Sequence, residues 1–120
     1  MKQKLLYIED DQGISELIAE IMEYEHYHVI TDDGKSMFRI LGENQIGLIL
    51  MDQRLFWSTG SQLCMELKAK PETKDIPVIM TSSSPDIERI ALSCGASGFI
   101  KKPFDLYDVI DTVAKYLPKV

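Results

Sequence analysis

The chain has 120 residues, 45% of them hydrophobic and 27% charged, which suits one domain over residues 1–120 built on one core and excludes general disorder. Its formal net charge of −6 argues against the basic surface that a nucleic-acid-binding domain normally carries. The apolar run near the start is too short for a signal peptide or a membrane span, so no membrane association and a cytoplasmic location are expected. The two cysteines, Cys64 and Cys94, lack metal-type spacing and are expected to be reduced, partly buried thiols.

In chain order, "KLLYI" (4–8) is a short apolar run that predicts a buried strand. After the acidic "EDDQG", Ile14, Leu17, Ile18, Ile21 and Met22 share one face at helical spacing, predicting a helix over 12–25. Asp11 is expected to cap it. "YHVIT" (27–31) predicts a second strand; His26 and His28 beside it fall on no motif and are expected at the surface. "DGKSMFRILG" (33–42) supports a shorter helix, with Gly42 as its stop. "GLILM" (47–51) has the unbroken apolar character of a strand covered on both faces. "TGSQLCMELK" (59–68) predicts a helix with Thr59 and Gln62 as a capping box, and "IPVIMTS" (76–82) a fourth strand. "SPDIERIALSCG" (84–95) predicts a helix with Ser84 as N-cap, Pro85 in its first position and Gly95 just past its end. "GFIK" (98–101) is a short fifth strand. "DLYDVIDTVAKYL" (105–117) closes the chain with a stripe of Leu106, Val109, Ile110, Val113 and Leu117.

Strand and helix alternate five times, so the expected fold class is α/β, a five-stranded parallel sheet with helices on both faces. Sites on such sheets form at the C-terminal strand ends. There the sequence places Glu9, Asp10 and Asp11 after the first strand, Asp52 at the end of "LILMD", Ser82 to Ser84 after the fourth strand, and Lys101, Lys102 and Pro103 after the fifth. Converging carboxylates repel one another unless a hard cation sits among them. Mg²⁺ takes about six oxygen ligands and usually leaves some for water or a substrate phosphate. Lys102 and Ser82 supply a positive charge and a hydroxyl for phosphoryl oxygens. A carboxylate held in line can act as the nucleophile.

The motifs "LLYIEDD", "LILMD", "IPVIMTSS" and "GASGFIKKPF", with the trailing amphipathic helix, make residues 4–117 resemble the receiver domain of bacterial two-component response regulators. The resemblance implies a flavodoxin-like (βα)5 fold and an aspartyl phosphate at Asp52. It implies Asp10 as a direct Mg²⁺ ligand, Glu9 as its partner through water, Asp52 itself, and the backbone carbonyl of Arg54 as a further metal ligand. Ser82 resembles the switch hydroxyl, Lys102 the phosphoryl-pairing lysine, Phe99 the aromatic that follows the switch, and Pro103 a proline typically preceded by a cis bond. Partners implied are a histidine kinase or histidine phosphotransfer domain and an unidentified downstream protein, with Arg89, Lys101 and Tyr107 as candidate contacts. A stand-alone chain is expected, as a monomer or a phosphorylation-dependent dimer, and not an enzyme beyond its own phosphoryl transfer and dephosphorylation.

The chain departs from the family in "QRLFWSTG": receivers usually carry proline four residues after the phosphoacceptor, and here Phe56 stands. Arg54 reaches over the site and is expected to change the lifetime of the phosphoryl group. Trp57 is expected to be partly exposed, packing, shielding the site or meeting a partner. The competing reading is a receiver-like module that binds its partner without phosphorylation. A flavodoxin is disfavoured because "EDDQG" would repel a phosphate, and a haloacid-dehalogenase-type phosphatase because Arg54 stands where a second aspartate is wanted.

Overall fold

The structure is a computed structural model that describes residues 2–118. Five strands, β1 Lys4–Ile8, β2 His28–Asp32, β3 Ile46–Asp52, β4 Val78–Ser82 and β5 Gly98–Lys101, alternate with five helices, α1 Gln12–Tyr24, α2 Met37–Glu43, α3 Gly60–Lys68, α4 Ile87–Cys94 and α5 Leu106–Tyr116. The strands are all parallel and lie in the order β2-β1-β3-β4-β5. The chain steps from β1 to one side and then returns to place β3 on the other. The switch point therefore lies between β1 and β3, and their C-terminal ends open a crevice there.

Continuous apolar strands are needed because both faces of the sheet are covered. Alternate residues point to opposite faces. Leu6, Ile8, Ile49, Met51, Val78 and Met80 pack against α2, α3 and α4. Leu5, Tyr7, Leu48, Leu50 and Ile79 pack against α1 and α5. The second core is closed by the Tyr27 hydroxyl, which donates to the Leu117 carbonyl at 2.7 Å.

The expected elements are all present, with shifted ends. β2 and β4 each begin later than expected, at His28 and Val78, whereas β3 extends over Ile46–Asp52. Asp11 caps α1 by accepting from the Ile14 amide at 3.0 Å. Thr59 caps α3 by accepting from the Gln62 amide at 3.2 Å, but only this half of the expected capping box is formed; the reciprocal box stands instead at α5, between Asp105 and Asp108. Two terminus assignments are corrected. Ser84 does not cap α4, and Pro85 is not its first residue: the N-cap is Asp86, and Ser84 Oγ accepts from the Asp86 amide within the preceding turn. Gly42 does not stop α2, which runs through it to Glu43; the extended Asn44 ends the helix, and its side-chain amide donates back to the Ile40 carbonyl. Gly95 ends α4 as expected, in the left-handed region at φ 84°. His26 and His28 are exposed. Cys64 and Cys94 are free and more deeply buried than expected, and burial pushes the Cys64 thiol up to about 12. Among the described residues no helix is long and apolar enough to cross a membrane.

Candidate functional site

The ends of β1, β3, β4 and β5 enclose a cleft of about 220 Å³ whose lining includes Glu9, Asp10, Asp52, Arg54, Ser82 and Lys102. Pairing sets these positions: Ile8 lies beside Met51, Asp52 beside Thr81, and Ser82 beside Lys101. The residues that follow Ile8, Met51, Thr81 and Lys101, namely Glu9, Asp52, Ser82 and Lys102, therefore reach the same edge. The Ser82 carbonyl also accepts from the Lys102 amide at 2.8 Å, which fixes the chain as it leaves β5. The Lys102–Pro103 peptide is cis.

Asp52 is 5% exposed and Glu9 likewise 5%. Burying two carboxylates side by side requires compensation. Lys102 Nζ lies 3.0 Å from Glu9 Oε1 and 3.3 Å from Asp52 Oδ1. Glu9 is held further by the Asp11 amide, which donates to Oε2 at 3.3 Å, and by the Tyr7 hydroxyl, 3.4 Å from Oε1. Burial pushes the Asp52 carboxyl up from 3.8 to about 6, the neighbouring Glu9 adds to the rise, and Lys102 opposes it. Burial acts to lower the Lys102 ammonium, but Asp52 and Glu9 outweigh it, so the lysine titrates above its ordinary value and stays charged. Burial also raises the Tyr7 phenol, with Glu9 and Asp52 adding to the effect, so it remains a donor.

Carboxylate oxygens of Glu9, Asp10 and Asp52 lie within 4.8 Å of one another. An all-oxygen, hard-donor cluster fits Mg²⁺ rather than a soft transition metal. Among the described residues, the ion pairs to this cluster come from Lys102 and reach Glu9 and Asp52, which leaves negative charge at Asp10 for a cation to offset.

The cleft gathers Asp52, Asp10, Glu9, Ser82, Lys102 and Arg54, as expected from the sequence. Ser82 is buried, and its Oγ accepts from the Ser84 amide at 3.0 Å. Phe99 lies apart from the cleft, half-buried on β5 against the α2–α3–α4 core. Sequence reasoning missed Tyr7, although the period of two places it on the same side of β1 as Glu9. It also missed two anchors of the β3–α3 loop: the Phe56 amide donates to Asp10 Oδ2, and Trp57 Nε1 donates to the Asp33 carbonyl at 2.9 Å. Trp57 is 40% exposed, in keeping with expectation.

The fold and the cleft define a doubly wound α/β protein with a lysine-balanced acidic site at its switch point. The profile of the response regulator receiver domain matches residues 5–114, and the chain belongs to that family. It is similar to the response regulator ArlR of Staphylococcus saprophyticus, 32% identical over 116 residues that cover 95% of this chain and 52% of that protein. It is also similar to sporulation initiation phosphotransferase F of Bacillus subtilis, at 26% identity over 98% of this chain and 96% of the relative. A solved receiver domain of a signal transduction histidine kinase from Syntrophus aciditrophicus superposes with a TM-score of 0.86 at 30% identity, covering 96% of this chain and 89% of that one. The chain spans about half the length of most of the curated relatives it matches. Phosphorylation and Mg²⁺ binding are general properties of this family of phosphoacceptor signalling domains.

Proposed function

We propose that Asp52 accepts a phosphoryl group from a phosphohistidine of a histidine kinase or phosphotransfer domain. In that transfer a carboxylate oxygen of Asp52 forms the new P–O bond as the donor's P–N bond breaks, and the imidazole leaves with its electron pair. Glu9, Asp10, Asp52 and the Arg54 backbone carbonyl are the residues proposed to hold Mg²⁺. Bound there, the ion supplies charge neutralisation for phosphoryl and carboxylate oxygens. Lys102 pairs with the phosphoryl oxygens, and the Ser82 hydroxyl donates to one of them. Phosphorylation adds charge, draws Ser82 toward it, and biases the 83–86 loop and Phe99 between two pre-existing states. The surface formed by α4, β5 and α5 then changes its partner preference. Arg89, Lys101 and Tyr107, all exposed there, are the proposed contacts for a downstream protein, with a monomer or a phosphorylation-dependent dimer as the responding species.

The observation that carries this reading is the position of Asp52, a buried carboxylate whose neighbours at one strand edge are two further carboxylates and Lys102. The test is incubation with acetyl phosphate, with and without Mg²⁺, read as a mass gain of one phosphate. The wild-type chain is expected to gain it only with Mg²⁺, and Asp52→Ala to gain none. No gain under either condition would favour the module that binds its partner without phosphorylation.

A further inference from the structure

The β3–α3 loop is closed on itself by a bridge between Arg54 and Thr59 and by the Leu55 amide, which donates to the Ser58 carbonyl at 3.2 Å. Leu55 is buried at its base. Phe56 projects from it with 94% of its surface exposed, so packing of the ring gives no account of the loop's position. The backbone does. The Phe56 amide donates to Asp10 Oδ2, across 46 residues of chain. The neighbouring indole fixes the same loop to the Asp33 carbonyl, and its Cζ2 lies 3.1 Å from where a Cβ on Gly34 would stand.

Asp10 is the exposed member of the acidic cluster. An exposed aspartate ordinarily samples several rotamers, and binding a cation must freeze one of them. A hydrogen bond from a backbone amide to a carboxylate is charge-assisted and directional. It occupies one oxygen and leaves the other for a cation. Such a bond requires an N–H at position 56, which proline lacks. The replacement of the family's usual proline by phenylalanine thus gives this chain a donor at that point.

We propose that the Phe56 backbone amide is a positioning group for Asp10, presetting this carboxylate for the divalent cation and tying the β3–α3 loop to the metal site. The proposal rests on the reading that Glu9, Asp10 and Asp52 bind Mg²⁺. Its decisive feature is that the amide acts and the ring does not.

The experiment is a calorimetric Mg²⁺ titration of the wild-type chain, Phe56→Pro and Phe56→Ala, with thermal melts to establish that each is folded. Phe56→Pro is expected to bind Mg²⁺ about 3- to 10-fold more weakly, the effect of freeing one carboxylate side chain, while Phe56→Ala binds as the wild type does. Equal affinity for all three would overturn the proposal, as would equal weakening in both variants, which would assign the effect to the ring. A wild-type chain that binds no Mg²⁺ would instead overturn the metal reading beneath it. Should Phe56→Pro fail to fold, amide hydrogen exchange decides the matter: the Phe56 N–H is expected to be protected in the wild type and to lose that protection in Asp10→Ala. An unprotected amide in the wild type would refute the contact.

Discussion

Lys102→Met is expected to destabilise the metal-free protein by about 3 kcal/mol near pH 7, the range found when one partner of a buried ion pair is removed. The Lys102 side chain is 22% exposed, but those of the carboxylates it serves, Glu9 and Asp52, are only 2% and 7% exposed. Water can therefore solvate these carboxylates only from the cleft side and replaces the lysine incompletely, and methionine keeps the length of the side chain while removing its charge. The deficit carries a pH signature. Asp52 already titrates at about 6, raised first by burial and then by Glu9, and Lys102 supplies the opposing pull. Without the lysine, its folded-state value rises further above its unfolded value. A carboxyl raised on folding favours the folded chain below the unfolded value, and that contribution is lost as pH rises through the folded value. The deficit should therefore be smallest near pH 4 to 5, where Asp52 carries a proton, and grow through pH 6 to 8. Urea denaturation across that range measures it. Saturating Mg²⁺ is expected to narrow the gap, because losing the lysine's positive charge beside Glu9 and Asp52 lets a cation bind the variant more tightly than the wild type, and a ligand stabilises the native state in step with its affinity. A deficit independent of pH would mean that the packing of the aliphatic stem, and not charge balance, is what Lys102 contributes.

This site was legible in the sequence because its residues stand where strands end. A strand's polar terminus is a local signal: "LILMD" shows the edge at Asp52 without knowledge of its neighbours, and parallel topology brings the edges together. Asp11 and Gly95 were legible for the same reason, since capping is decided within a few residues. The start of α4 misled because "SSSPD" offers several hydroxyls to nearby amides. Ser82 Oγ takes the Ser84 amide and Ser84 Oγ takes the Asp86 amide, so successive turns consume the donors before the helix begins at Ile87. The anchors of the β3–α3 loop left no local trace. The amide of Phe56 and the indole of Trp57 find acceptors 46 and 24 residues away, and the side chain at position 56 tells only that an N–H is present. What was unreadable is thus the long-range use of backbone groups.

A second large effect is expected at a position with no side chain to read. A Cβ on Gly60 would stand 2.3 Å from the Asp52 carbonyl oxygen, 2.7 Å from Met51 Cγ and 2.9 Å from Met80 Cε. The methionines can turn aside, but the first obstacle is backbone at the end of β3. The Gly60 amide donates to the Gln53 carbonyl at 2.9 Å, and Gln53 Oε1 accepts from the Ser61 amide, so the start of α3 is stapled to the residue following Asp52. Gly60→Ala must either break that staple or push the end of β3 aside. A loss of about 3 kcal/mol is expected, toward the upper end for overpacking because backbone has to move. Gly42→Ala supplies the opposite case. Gly42 lies inside α2, has no atom within 4 Å of its would-be Cβ and is not among the positive-φ glycines. There alanine is expected to stabilise by about 0.5–1 kcal/mol through helix propensity and a less disordered unfolded chain. Denaturation of both variants measures the difference in sign. Because the atom in the way belongs to Asp52 itself, Gly60→Ala should also slow labelling by acetyl phosphate in whatever fraction remains folded, whereas Gly42→Ala should leave the rate unchanged. A Gly60→Ala protein that is as stable as the wild type and labels as fast would mean that α3 does not press on the end of β3, and that Asp52 owes its position to the sheet alone.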